Sequence, residues 1–160
     1  ANRGVIYRPY LVKRAVNQRG EVVFAHEPVV HAQVQAAPST WQAIQEGLEL
    51  VVHGSKGTAR NALAGVPYRV AGKTGSAENP GGAAHGWFAA FAPADKPEVV
   101  VVVLVENGGG GARAAAPIAR KMLDAYFRLQ KEREGLDTNG QREVNMAAVS
   151  VERDQAGPGW

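Results

Sequence analysis

The residues best equipped for chemistry stand together at Lys73-Thr74-Gly75-Ser76, between Gly72 and Ala77. They put an ammonium, two hydroxyls and bare backbone side by side. On an extended strand side chains alternate between faces, so Thr74 and Ser76 share one face and Lys73 points to the other, its stem long enough to reach a neighbouring site. The two hydroxyls could bind a carboxylate. Glycines on both sides of the Lys-Thr pair let a second chain approach closely. This suits capture of an extended peptide by strand addition. The triplet Lys-[Ser/Thr]-Gly is a weak signal alone, because average composition gives roughly a one-in-ten chance of one in such a chain. The blander reading is a glycine-rich strand end.

Two other groups compete with it. Gly108 to Gly111 lies between a strand and a helix, where a phosphate loop could sit. No Gly-Lys-[Ser/Thr] ends it, and Arg113 stands where a dinucleotide fingerprint needs glycine, so it reads as a flexible connector. His26, His31, His53 and His85 show no helical i, i+3 or i+4 pairing, and neither a metal nor a cofactor is expected. His85 reads as structural or as part of a site rim. Trp41, Trp87 and Phe88 follow the apolar pattern of their elements and read as core.

The elements that would position these residues follow from periodicity and punctuation. Residues 10–16 and 21–25 are strand-like and are separated by the turn signal Asn17-Gln18-Arg19-Gly20, so they read as a hairpin. Residues 27–38, with two prolines and no clear period, read as a loop. Ser39 and Gln42 have capping-box spacing, and Trp41, Ile44, Leu48, Val51 and Val52 share one face of a helix over 39–53 that Gly54 stops. A loop over 53–65 leads to an extended segment at 70–77. Strands follow at 86–92 and 98–106, joined by Pro93-Ala94-Asp95-Lys96-Pro97 as an antiparallel hairpin. Ala115, Ile118, Ala119, Met122, Leu123, Tyr126 and Phe127 repeat at helical spacing over 113–134. Pro117 is tolerated there only in the first turn, and Gly135 is the expected stop. Residues 136–160 are polar and without sustained period, which predicts a disordered tail. The organisation expected is one domain over 1–135 and that tail. The fold class is α+β, an antiparallel sheet of at least three strands flanked by the two helices.

Composition narrows the function classes. The chain has 160 residues, 45% hydrophobic and 21% charged, ordinary for a globular domain. The longest apolar run, Val99 to Val105, has the length and β-branching of a buried strand and is far short of a membrane span. The net charge of +3 comes from basic residues interleaved with acids, so no nucleic-acid partner is expected. With no cysteine, disulfides and thiolate metal sites are excluded. The opening Ala-Asn-Arg-Gly has no initiator Met and no apolar signal region, which reads as a chain cut from something longer whose other part holds a membrane anchor.

Taken in order, several blocks form a recognisable series. Ala1-Asn2-Arg3-Gly4 precedes Tyr10-Leu11-Val12. Gly57-Thr58-Ala59 follows the first helix. Then come Ala71 to Glu78, His85-Gly86-Trp87-Phe88-Ala89-Ala90-Phe91-Ala92-Pro93, the valine strand, Asn107-Gly108-Gly109 and Ala114-Ala115-Ala116-Pro117 with the closing helix. This order and spacing resemble the C-terminal part of the transpeptidase domain of class B penicillin-binding proteins, most like the elongation-type penicillin-binding protein 2 group, over about residues 1–130.

That family carries three motifs, Ser-x-x-Lys, Ser-x-Asn and Lys-[Ser/Thr]-Gly. Of its serines, at 39, 55, 76 and 150, none begins either of the first two, so only the third motif is present. The resemblance implies a peptidoglycan D,D-transpeptidase whose serine nucleophile lies in the N-terminal part of the same protein, this chain being inactive alone. Lys73 would stabilise charge near the nucleophile and the substrate carboxylate. Thr74 and Ser76 would hydrogen-bond that carboxylate, with Gly75 between them. The backbone N–H of Ser76 would be one oxyanion-hole donor. The family usually has threonine where Ser76 stands, and the hydroxyl is kept. Implied partners are D-Ala-D-Ala stem peptides, β-lactam antibiotics and the rest of the polypeptide, with a membrane glycosyltransferase of the elongation complex as a further candidate. The implied location is the periplasmic face of the cell membrane. The alternatives are a non-catalytic peptidoglycan-binding or assembly module and a D,D-carboxypeptidase or β-lactamase relative.

Overall fold

A computed structural model describes the backbone of residues 1–155 and the side chains of residues 1–135. The elements in chain order are β1 (Val5–Tyr7), β2 (Arg14–Val16), β3 (Val22–Ala25), β4 (Val30–Gln33), α1 (Pro38–His53), β5 (Ala71–Ala77), β6 (His85–Ala92), β7 (Val99–Val105), α2 (Gly111–Ala114) and α3 (Ala116–Gln155). β5, β6 and β7 form one antiparallel sheet in that order, with β6 in the middle. The Lys73 strand therefore lies on one edge and the valine strand on the other.

The alternation of β6 explains how the sheet packs. Phe88, Ala90 and Ala92 are buried on one face together with Val101 and Val103 of β7. There they meet Ala115, Ala116, Ala119 and Leu123 from the α2–α3 region. Three alanines on the helix side let α3 lie close to the sheet, and Phe88 and Leu123 fill the space between them. The opposite face carries Phe91, which packs with Ala71, Ala94 and Leu48 of α1. Beyond Phe91 this face is uncovered among the described residues: Trp87 is 39% exposed, Val100 62%, Val102 57% and Leu104 43%. Trp87 is thus not a core residue as its apolar neighbours suggested. It is out of phase with Phe88 by one residue, and on a strand that means the other side of the sheet.

Several boundaries differ from the sequence reading, each for a physical reason. α1 begins at Pro38, with Ala37 as N-cap and no side-chain cap bond. The proline's fixed φ and missing N–H suit the first helical turn, so Ser39 is not needed as a cap. Gly54 does end the helix, its N–H bonding Leu50 O at 3.0 Å. Residues 30–33 are not loop. They pair antiparallel with Val5–Tyr7, a long-range contact that a four-residue stretch cannot announce by period. The β2–β3 hairpin forms as expected, though β2 is shorter than 10–16. Asn17 closes its turn, Oδ1 accepting the N–H groups of Arg19 and Glu21.

Pro117 does fall in the first turn of α3. Gly135 does not stop that helix, which continues to Gln155. An isolated glycine weakens a helix by only about 1 kcal/mol, and no proline lies within the residues of α3 that follow it. The tail expected at 136–160 falls on residues whose side chains lie outside the described set, and residues 156–160 lie outside it altogether.

β7 has no second neighbour among the described residues, so its outer row of N–H and C=O groups is a template for pairing. As an isolated polypeptide the chain is expected to self-associate. Val102→Lys, on the exposed face, should reduce this, whereas Val103→Lys, on the buried face, should unfold the sheet. Light scattering over a concentration series, with circular dichroism for each variant, checks both. A wild type that stays monomeric at high concentration would show that the edge is protected.

Candidate functional site

β5 carries all four predicted site residues. Its partners across the ladder are Ala89 for Lys73, Phe88 for Thr74, Trp87 for Gly75 and Gly86 for Ser76. Thr74 and Ser76 thus lie on the Phe88 face, the side of α3, and Lys73 on the opposite one, as the alternation required. Lys73 and Ser76 are exposed, and Thr74 and Gly75 are half-buried. The Lys73 ammonium, though exposed, is tied to its own strand: Nζ donates to the carbonyl of Thr74 at 2.6 Å. The cation is folded back over its own strand, beside the two hydroxyl-bearing residues. The other three residues need no long reach, because the strand itself sets them in a row.

The glycines around the triplet have a different task from the one first read. A Cβ on Gly72 would lie 2.9 Å from Ala89 O and 2.9 Å from the Phe88 ring, and one on Gly75 would lie 3.2 Å from Trp87 Cβ. Their bareness serves β6 inside the sheet. The Gly108 to Gly111 segment is likewise not merely flexible. Gly111 is buried, and a Cβ there would sit 2.0 Å from Trp87 O and 2.5 Å from Gly75 O. The first residue of α2 therefore presses backbone to backbone on the β5–β6 ladder at the triplet itself. The neighbouring loops are locked by Asn79 Nδ2 donating to Asn107 Oδ1 at 2.6 Å and by the Asn107 N–H donating to His85 Nδ1 at 3.0 Å. His85 has the structural role expected, holding the far end of β5 and β6.

The near end of β5 is held by a stripe that the sequence reading missed. Gln45, Glu49 and His53 are four apart and line one face of α1. Gln45 Nε2 donates to Ala94 O at 2.9 Å. Glu49 Oε2 accepts from Arg69 Nε at 3.0 Å and forms an ion pair with the same guanidinium. His53 Nε2 accepts the N–H of Val70 at 3.0 Å. Just beyond the helix, Thr58 Oγ1 lies 2.8 Å from Thr74 Oγ1. The available signal was the Gly57-Thr58-Ala59 block, noted for its order but not for a role. The 53–70 segment is also tied to α3. Tyr68 Oη donates to Asp124 at 2.6 Å, and Arg120 donates to Ala64 O at 2.7 Å. Burial first, then the bond to Asp124, pushes the Tyr68 phenol well above its ordinary range, so it remains a donor.

A cavity of about 330 Å³ lies elsewhere, between residues 1–6, α1 and the β6–β7 connection, and includes none of the four site residues. The triplet sits on an open strand edge instead. This geometry suits an extended ligand that pairs with backbone more than a compact one that needs enclosure.

The model of the penicillin-binding protein transpeptidase domain matches residues 1–124. The chain belongs to this family. A peptidoglycan D,D-transpeptidase of Haemophilus influenzae, MrdA, is 37% identical over 79% of this chain and 22% of its own length. Penicillin-binding protein 2A of Bacillus subtilis is 30% identical over 91% of this chain, again 22% of its own length. The chain thus spans about a fifth of the curated relatives it matches. Among solved structures, the D,D-transpeptidase domain of a peptidoglycan glycosyltransferase from Eggerthella lenta superposes with a TM-score of 0.67 at 37% identity, over 81% of this chain and 30% of that one. Penicillin-binding protein A of M. tuberculosis, solved as an imipenem acyl-enzyme, gives 0.64 at 33% identity, over 79% and 28%. The α+β architecture read from the sequence is that of these transpeptidase domains. Among the described residues no helix is long and apolar enough to cross a membrane.

Within this transpeptidase fold Gly111 is expected to be intolerant. Gly111→Ala must push α2 off the ladder or twist β5, an overpacking cost of about 1–3 kcal/mol. The thermal midpoint should fall by several degrees. If it is unchanged, the contact at Gly75 and Trp87 is not the constraint claimed.

Proposed function

We propose that this chain supplies the substrate strand of a peptidoglycan D,D-transpeptidase. The observation that carries the reading is the placement of Lys73, Thr74 and Ser76 on a sheet edge open to an extended ligand, with the ammonium folded over the strand. A stem peptide ending in D-Ala-D-Ala would lie along β5, its terminal carboxylate accepting from the Thr74 and Ser76 hydroxyls. Residues two apart on an antiparallel strand turn their backbone groups to the same edge. The Thr74 carbonyl accepts the Lys73 ammonium, which fits an outward direction for Thr74 and so for the N–H of Ser76. That N–H would then face the carbonyl under attack and stabilise the oxyanion.

The nucleophile would be a serine hydroxyl from another part of the protein, since no Ser-x-x-Lys occurs in these 160 residues. It adds to the carbonyl of the penultimate D-alanine, and the terminal D-alanine leaves as its amine takes up a proton. An amine of a second stem then displaces the serine and forms the cross-link. The Lys73 charge, held by a neutral carbonyl, is free to stabilise both the carboxylate and the developing oxyanion. β-Lactams, carrying a carboxylate beside a strained amide, would acylate the same serine. On this reading the chain alone is inactive and works with the rest of its polypeptide at the periplasmic face of the membrane. The pairing with a membrane glycosyltransferase of the elongation complex rests on the family resemblance. We place the end of the transpeptidase domain near 135, beyond the family match, which ends at residue 124.

Lys73→Ala in the complete protein should slow penicillin acylation at least a hundredfold, about 2.7 kcal/mol or more, with little change in thermal midpoint because the side chain is exposed. Acylation at the wild-type rate would remove Lys73 from the site.

Ser76→Ala should be mild, losing one carboxylate bond of about 1.5–3 kcal/mol. Ser76→Pro should be far worse, because proline removes the N–H assigned to the oxyanion. Second-order acylation rates compare the two, and equal rates would end the oxyanion role of Ser76.

A further inference from the structure

The contact between Thr58 and Thr74 has a direction that the carboxylate role requires. Each hydroxyl has one proton to give and two lone pairs to accept with. At 2.8 Å either oxygen can be the donor. If Thr74 gives its proton to Thr58, it has none for a carboxylate and presents a lone pair to it, which repels. If Thr58 is the donor, the Thr74 proton is released toward the open side of the strand. An anion there favours the second arrangement, and a hydroxyl that already accepts one bond is a better donor in the next.

The surrounding chain holds Thr58 in place. A Cβ on Gly57 would lie 2.5 Å from Val51 O, so only glycine lets the backbone pass the end of α1 this closely. On the other side Ala59 is fully buried, and its N–H donates to Val51 O at 2.9 Å. Thr58 is exposed between these two anchors. Its own burial therefore does not explain a threonine there, whereas the contact to Thr74 does.

We infer that Thr58 is a positioning residue for carboxylate recognition: it donates to Thr74 Oγ1 and so turns the Thr74 proton toward the terminal carboxylate of the substrate. The inference rests on the carboxylate role proposed for Thr74.

The test uses the complete protein and two probes, benzylpenicillin and its methyl ester, which differ only in the carboxylate. The readout is the ratio of their second-order acylation rates. The wild type should favour the acid strongly. Thr58→Val keeps the shape and removes the proton, and should reduce that ratio about two- to tenfold, the range of one neutral hydrogen bond. The ester's rate and the thermal midpoint should hardly move. Thr58→Ser should restore the wild-type ratio. In a Thr74→Val background, Thr58→Val should cause no further loss, because the two act as one unit. If Thr58→Val does not fold, Thr58→Ala makes the same comparison.

A Thr58→Val protein with the wild-type ratio, or one slowed equally on acid and ester, overturns the inference and leaves the carboxylate role standing. A wild type that does not distinguish acid from ester overturns that role and the inference with it.

Discussion

The pairing of β5 with β6 is the constraint on which the rest depends, and Phe88 fixes it. Phe88 is fully buried and stands directly opposite Thr74. A slip of one residue would carry every side chain of a strand to the other face. For β6 that would bring Phe88 out to the open face, at about 1.5–3 kcal/mol for the side chain alone. For β5 it would exchange Lys73 with Thr74 and Ser76. The order of ammonium and hydroxyls on the outer strand is thus enforced from inside the core, by a ring that is itself fully buried.

Much of this was legible in the chain. The strands at 86–92 and 98–106 carry strong β patterns, five residues between them leave only a hairpin, and the small residues of 70–77 permit an extended chain. Lys73, Thr74 and Ser76 could be assigned to faces by alternation alone. Family identity was legible too, because it rests on the order of several blocks. What was lost depended on contacts between distant residues. Val30–Gln33 is a strand only because Val5–Tyr7 lies beside it. Trp87 looks like core until the sheet shows which of two adjacent aromatics has a helix to meet. Gly111 looks like a hinge until the backbone it presses on is known. Residues Gln45, Glu49 and His53 are ordinary polar positions on a helix until their partners at 94, 69 and 70 are in place.

The two edges of the sheet present the same backbone chemistry with opposite side chains. β7 offers a run of valines whose exposed members would lose water gladly, so its edge asks for permanent cover by another strand. β5 offers an ammonium, two hydroxyls and two glycines. Its open edge has little apolar area to drive lasting association, and charge on an edge strand discourages it. A ligand held there gains mostly from backbone pairing and from charge-assisted hydrogen bonds, which are specific but exchange readily with water. That difference suits the role proposed for β5, in which a peptide is taken up and then released.

α1 then explains how an exposed edge can be accurate. An open strand with no neighbour on one side would fray, and its residues would wander by more than a hydrogen bond tolerates. The stripe of Gln45, Glu49 and His53 ties the helix to the β6–β7 connection, to Arg69 and to Val70, at successive turns. The last of these ties ends one residue before β5 begins. Four residues of tight turn later, the same helix end delivers Thr58 to Thr74. The rigid body that sets the near end of the site strand is thus also the one that sets its hydroxyl. Because both connections leave from the last turn of one helix, a displacement of α1 would move the start of β5 and Thr58 together and keep their spacing. The accuracy of the edge comes from this shared origin, without the enclosure that a pocket would supply.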